Sequence, residues 1–308
     1  MLTSVPVIDF AAATDPSADQ SIVAGVGEAL EQLGFVAISG HGIDQDLLAR
    51  AYAAAAGVFE LPVDVKQQYE TPSDGRQRGY TPFGTEHAKG QAVADLKEFW
   101  HVGRTLPAEH PLTASGAIPR NQWPAELPSF EESFGALFAQ TESFADRLLR
   151  VIAVHLGLPA DRFARLTANG NSVMRIIHYP PVENAPDGAV RAAQHEDINL
   201  ITVLPVSTAP GLELLTRDGT WMAVQPPPGT VICDTGDMMQ ELTNGRLPAT
   251  THRVVNPPGS DRSARYSLPF FMHPRSEVPL DALWGDGTGR TAGAYLDERL
   301  AETGMQRS

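Results

Sequence analysis

The sequence predicts a mainly β protein with α-helices added around the sheets, and three observations support this. From Val173 onward, short apolar runs recur at regular spacing with turn residues between them, the pattern of an antiparallel barrel or sandwich. Before about residue 168 the apolar spacing is mostly helical. The composition is 42% hydrophobic and 19% charged, with 27 glycines and 25 prolines, as expected for a turn-rich globular chain able to bury a large core.

Taken in order, Val5-Pro6-Val7-Ile8-Asp9-Phe10 reads as a short strand. A helix follows with Ile22, Val23, Val26, Ala29, Leu30 and Leu33 on one face, and Gly34 supplies its stop signal. Phe35 to Ile38 is a buried-strand candidate closed by Gly40-His41-Gly42, and an Ala-rich helix runs from about Gln45 to Val58. The segment from Thr71 to Gln122 is rich in Gly, Pro, Thr and Gln and reads as a long loop of the kind used for lids and binding loops. Phe130, Phe134, Leu137, Thr141, Phe144, Leu148, Val151 and His155 alternate steps of three and four, which predicts a long scaffold helix ended by Gly157 and Pro159.

Strand candidates then follow at Val173–Tyr179, Asn199–Val206, Gly211–Thr216, Trp221–Gln225, Thr230–Cys233, Thr251–Asn256 and Arg265–Met272, with a last helix over Thr291–Leu300. The expected organisation is a mostly helical region over 1–168 packed on a β core over 169–280, with a helical tail over 281–308, together forming one unit.

The net charge is −14, from 23 basic and 37 acidic residues. With no basic stripe to offset it, that balance argues against a nucleic-acid partner. Cys233 is the sole cysteine, so an intramolecular disulfide is excluded and a metal site must be built from His and carboxylate. No signal-peptide layout and no membrane-length apolar run is present. The expectation is a cytoplasmic protein with no membrane partner, a monomer or weak homo-oligomer.

His195-Glu196-Asp197 precedes a strand candidate. In extended chain, positions i and i+2 share a face, so His195 and Asp197 can reach one ion while Glu196 points away. His252, at the start of another strand candidate, can supply a third ligand. Two histidines and one carboxylate make the facial set that leaves half of an octahedral metal's positions open. A bare His-x-Asp has low specificity, and His41, His87, His101, His110, His155, His178 and His273 read as ordinary surface or core residues. The triad gains weight from Arg265-Tyr266-Ser267, whose spacing puts Arg265 and Ser267 on one strand face. An Arg in an apolar strand is costly to bury without an anion, and its planar fork suits a carboxylate. The alternative is an internal salt bridge to Asp or Glu.

With these residues in place, the sequence resembles the isopenicillin N synthase-like branch of iron/2-oxoglutarate-dependent dioxygenases, from about Val5 to Pro274. The matching stretches are Val5 to Phe10, Gly34-Phe35 through Ile43, Arg78-Gly79-Tyr80, Asp95-Leu96-Lys97-Glu98, His195-Glu196-Asp197, Gly236-Asp237, Thr243-Asn244-Gly245, His252-Arg253-Val254 and Arg265-Tyr266-Ser267. Each is weak alone; their shared order and spacing are specific. The resemblance implies a double-stranded β-helix (jelly-roll) core with Fe(II) held by His195, Asp197 and His252. It also implies 2-oxoglutarate as cosubstrate, its far carboxylate on Arg265 and Ser267 with Tyr179 in contact, and Ile177 standing where an Asn often contributes. O2 is the oxidant, and ascorbate the expected reductant in vitro. The implied reaction is hydroxylation of a small-molecule substrate with release of succinate and CO2.

Some alternatives stay open at this stage. Members of the same family that do not use 2-oxoglutarate keep the Arg-x-Ser pair for a substrate carboxylate, so a ring-closing or ethylene-forming iron oxidase is one. A zinc-dependent hydrolase on the same ligands is another, and a non-catalytic ligand-binding jelly roll is a third. For the substrate pocket the candidates are Phe83, Gln240 and Phe271, each with ordinary packing as its rival reading.

Overall fold

The computed structural model describes residues 4–86, 94–181, 189–256, 263–281, 283–284 and 289–302; His87 lies outside them. In chain order the elements are β1 (Val7–Asp9), α1 (Gln20–Leu33), β2 (Phe35–Ser39), α2 (Gln45–Glu60), α3 (Val63–Gln67), β3 (Gly79–Thr81), β4 (Glu98–Gly103), α4 (Pro111–Ala114), α5 (Pro128–His155) and α6 (Ala164–Thr167). The second half contributes β5 (Val173–Tyr179), β6 (Ala192–His195), β7 (Ile201–Pro205), β8 (Leu212–Leu215), β9 (Trp221–Ala223), β10 (Val231–Thr235), α7 (Asp237–Leu242), β11 (His252–Val254), β12 (Arg265–Ser267), β13 (Phe270–Met272) and α8 (Ala292–Glu302).

The strands form two sheets. The larger runs β1-β2-β10-β7-β13-β5-β4-β3, with β12 also paired to β5, and the smaller runs β6-β11-β8-β9. β1 and β2 are parallel, whereas every other pair is antiparallel.

Side-chain alternation sorts the large sheet into two faces. Val36, Ile38, Trp100, Val102, Met174, Ile176, Val203, Val231, Cys233 and Phe270 join the helices' apolar stripes in one core. Phe99, Ile177 and Tyr179 pack inward with Ala192, Val254 and Leu300, and Phe35, Ala37 and Ile232 pack inward with Leu214 and Val224. Strands covered on both faces read as unbroken apolar runs, which is why Phe35 to Ile38 is legible as a strand without alternating.

The helices begin and end where their caps dictate. Asp19 and Asp44 accept the first free amides of α1 and α2, satisfying donors that have no partner within the helix. α1 stops at Gly34, whose φ is +66° and where a Cβ would lie 2.6 Å from the Pro248 carbonyl. In α5, Phe130, Phe134, Leu137, Phe144 and Leu148 are buried along one stripe, as their spacing predicts.

Three expectations are corrected. The Thr71–Gln122 segment is not simply loop: it holds β3, the short α4 and the fully buried β4, which joins β3 to β5. The strand is hidden in the sequence because Glu98, Phe99, Trp100 and His101 are buried on both faces and mix charge with apolar bulk. Within 1–168, β3 and β4 join the two expected strands, β1 and β2, in the large sheet. Arg265–Met272 is two strands rather than one. Pro269 has no N–H to give a ladder; its carbonyl accepts from the Arg175 amide instead, and pairing passes from β12 to β13. Finally, His195 ends a strand, β6, that its sequence did not announce, and Asp197 lies in the turn beyond it.

Candidate metal centre and its cavity

His195 closes β6, and His252 opens β11 directly opposite it in the small sheet. Asp197 sits in the turn that leads from β6 to β7. The Asp197 Oδ1 is 3.8 Å from His195 Nε2 and 3.7 Å from His252 Nε2, and the two rings lie 4.4 Å apart. One ligand atom from each residue falls within 4.8 Å of the others, an arrangement that can hold a metal ion.

The surroundings prepare each ligand. His195 Nδ1 donates to the Ala193 carbonyl at 2.8 Å, and His252 Nδ1 donates to the Thr250 carbonyl at 3.1 Å. A carbonyl can only accept, so both rings keep their proton on Nδ1 and leave the Nε2 lone pair free for a metal. Burial and the neighbouring His252 lower the His195 pKa to about 4, so the ring is neutral at pH 7.

The second Asp197 oxygen accepts from the Thr202 hydroxyl, which itself accepts from Asn199 Nδ2 at 2.9 Å. Asp234, on the same inner face, is pushed well above its usual range by burial and by Asp197. Glu196 is exposed and turned to the rim, where it accepts from Thr251. Burial, and after it the nearby Glu196, push Asp237 up to about 6.

Two outcomes follow from these contacts. Thr202→Val keeps the shape but removes the donor that aims Asp197, so iron affinity should fall about tenfold or more, as when such supporting bonds are lost elsewhere; a titration matching the wild type would show that the hydroxyl is idle. Gly236→Ala should be more disruptive than a surface change. Its Cβ would lie 2.4–2.6 Å from Asn199 and from the Asp197 carbonyl, and overpacking of this kind typically costs about 1–3 kcal/mol. Lowered thermal stability together with weakened metal binding is the expected pair of readouts.

His195 and Asp197 of the triad line a cavity of about 460 Å³. Its walls include Arg175, Phe271 and His273 from the sheets' inner side, and Leu296, Arg299 and Leu300 from α8. α8 is held over the cavity by the Tyr295 hydroxyl, which donates to Asp237 at 3.0 Å. His273 Nε2 lies 2.9 Å from the Ile198 carbonyl, inside the metal-bearing turn; burial lowers its pKa to about 4, so it acts as a neutral brace.

Of the substrate candidates, Phe271 lines the cavity. Phe83 is 47% exposed and outside the lining. Gln240 is also outside it, its side-chain oxygen accepting from the Ala249 amide. Arg175, His101, Lys97, Asp95 and Glu86 line the cavity and were missed in the sequence.

Arg265 and Tyr179 face each other across β12 and β5, with Ser267 opposite Ile177. The Arg265 guanidinium carbon is 5.0 Å from the Tyr179 ring. Arg265 is 1% exposed; Nε donates to the Ala209 carbonyl and Nη2 to Ser207, while Nη1 has no partner. No Asp or Glu among the described residues pairs with it, so the salt-bridge alternative is not what is found. Tyr179 packs with Ala192 and Val254, neighbours in sequence of the two histidines.

The comparisons agree with this geometry. Residues 170–274 match the 2OG-Fe(II) oxygenase superfamily, and residues 5–126 match the N-terminal domain described as that of the non-haem dioxygenase in morphine synthesis. A 2-oxoglutarate-Fe(II) type oxidoreductase of Emericella nidulans is 32% identical over 280 residues, covering 88% of this chain and 79% of the relative. The chain belongs to the 2OG-Fe(II) oxygenase superfamily. As a member it is a non-haem iron, 2-oxoglutarate-dependent dioxygenase built on a double-stranded β-helix. A crystal structure of a family member from Caulobacter crescentus superposes with a TM-score of 0.85 at 38% identity, covering 98% of this chain and 99% of the other. A full-length Neurospora crassa protein, solved in complex with alpha-KG and thymine, superposes with a TM-score of 0.82 at 26% identity, covering 96% of each chain.

Proposed function

We propose that this oxygenase hydroxylates a small molecule, releasing succinate and CO2, with Fe(II) on His195, Asp197 and His252 and 2-oxoglutarate anchored by Arg265, Ser267 and Tyr179. The observation that carries the anchor is the buried Arg265 with Nη1 unpartnered. A guanidinium nitrogen left bare in a protein interior costs free energy that an incoming carboxylate recovers. The donor set suits the metal as well: two neutral imidazoles and a carboxylate on one side match a ferrous site that keeps positions open.

Iron bound there supplies the O2 activation that couples decarboxylation of 2-oxoglutarate to oxidation of the substrate. The chain's own residues do the rest. Thr202 and the Ala193 and Thr250 carbonyls fix the ligand directions, Arg265 orients the cosubstrate, and α8 with Phe271 shields the cavity from water. A cavity of about 460 Å³ is of small-molecule size, and the thymine-bound neighbour supports that class. Glu196 lines the cavity but is engaged by the Thr251 hydroxyl and by Asp237, which argues against it as the free base a hydrolytic zinc site requires.

No helix among the described residues is long and apolar enough to cross a membrane. The buried free thiol of Cys233 fits a protein working in the cytoplasm, as a monomer or weak homo-oligomer. Anaerobic addition of Fe(II) and then 2-oxoglutarate should produce a weak visible charge-transfer band, and admitting O2 with a metabolite library should release succinate. Absence of the band, with succinate never exceeding the metal-free control, would remove this reading.

A further inference from the structure

Arg175 lies on the inner face of β5, in register with Ile177 and Tyr179. Its Nε donates to His101 Nε2 at 2.7 Å, and its Nη1 donates to both oxygens of Glu86 at 3.2 and 3.1 Å. His101 is fixed to receive that bond: its Nδ1 donates to the Arg76 carbonyl at 2.8 Å, and burial together with the Arg175 charge keeps the ring neutral. The guanidinium carbon is 4.4 Å from the Phe99 ring and 5.5 Å from Phe271. The side chain is thus held on three sides, and Nη2 is left without a protein partner among the described residues.

The charges around it cancel. Glu86 also pairs with Lys97 at 3.2 Å, and Lys97 pairs with Asp95 at 2.9 Å. Burial opposes the Glu86 charge, but Arg175 and Lys97 outweigh it and hold the carboxyl well below its usual range. Two cations and two carboxylates therefore balance in the cluster immediately around Arg175. Asp95 extends it to the metal strand by accepting from the Ala193 amide at 3.0 Å.

We infer that Arg175 is a specificity-determining residue for the prime substrate, and that the class it selects is a flat, uncharged molecule presenting a carbonyl-type oxygen. A fixed N–H in a cavity wall with no partner among the described residues can donate to an incoming acceptor. Phe271, on the same wall, offers a ring face to a planar body. An added carboxylate would place an uncompensated charge against this already balanced cluster, and an added cation would face the guanidinium. This rests on the oxygenase reading above, because it concerns the substrate of that same cavity.

Three probes that share a phenyl ring and differ in head group test it: benzamide (neutral, with a carbonyl oxygen), benzoate (anionic) and benzylammonium (cationic, with no acceptor oxygen). Each is titrated calorimetrically into protein loaded anaerobically with Fe(II) and 2-oxoglutarate, with the charge-transfer band recorded on the same samples. Benzamide should bind, with benzoate and benzylammonium about tenfold weaker or more. Arg175→Lys keeps a cation beside Glu86 but loses Nη2; it should weaken benzamide about tenfold, the worth of one good hydrogen bond, and leave the band intact. Phe271→Leu should weaken benzamide too, which guards against a folding defect specific to the Arg175 variant. Tighter benzoate than benzamide, no saturable benzamide binding, or unchanged benzamide affinity in Arg175→Lys would each overturn the inference while the band still forms. Loss of the band in the wild type would instead bring down the cosubstrate reading, and this one with it.

Discussion

Asp197→Ala is expected to abolish iron binding at micromolar Fe(II) and to remove turnover, while the protein stays folded. Asp197 offers the sole carboxylate of the triad, and its two oxygens have separate tasks: Oδ1 faces His195 and His252, and Oδ2 accepts from Thr202. Supporting bonds around a metal ligand are worth roughly 10- to 100-fold in affinity, and a ligand itself should exceed that. Asp234 is near enough to feel Asp197, but burial disfavours its charged form, so it is no ready replacement. The measurement is an anaerobic Fe(II) titration alongside a thermal melt. His195→Ala should behave alike. Retained turnover in either variant would dissolve the triad assignment.

Arg265→Ala should raise the 2-oxoglutarate concentration for half-maximal turnover by about two orders of magnitude or more, because stranding one member of a buried ion pair costs about 3–5 kcal/mol. Fe(II) affinity should hardly change, since Arg265 belongs to β12 and the large sheet, whereas both histidines belong to the small one. Arg265→Lys should fall between, keeping charge but losing the planar fork that reaches Ser207 and the Ala209 carbonyl together. Added guanidinium ion should partly restore the alanine variant. An unchanged 2-oxoglutarate requirement would mean that Arg265 serves a different anion.

What could be read from the sequence follows the physics of each element. The stripe of α5 and the Gly34 stop were legible because a helix with one wet face must repeat every three to four residues. His195, Asp197 and His252 were legible because the i, i+2 rule and the chemistry of ferrous sites constrain residue type. β4 was not legible, since a strand covered on both sides, with Lys97 just before it and Glu98 at its start, shows no alternation. Phe83 and Gln240 were picked by position alone, and neither reaches the cavity. Arg175 could have been found. It stands in the apolar run Val173-Met174-Arg175-Ile176-Ile177, and the reasoning that singled out Arg265, a charge too costly to bury without a purpose, applies to it equally. The pairing of Glu86 with Lys97, across eleven positions, carries no such local signal.

The seam between β2 and β10 has a kinetic consequence. Val231 pairs with Ile38, the Gly34 carbonyl accepts from the Thr235 amide, and Gly236 then packs under Asp197. The turn that aims the carboxylate can settle only after residues 34–38 have closed on a segment nearly two hundred positions further along the chain. Closing so long a loop is entropically slow, and chains dominated by such distant pairings fold over milliseconds to seconds. In refolding, helical signal should therefore recover well before the capacity to bind iron, and until the seam closes β10 presents a bare edge to other chains.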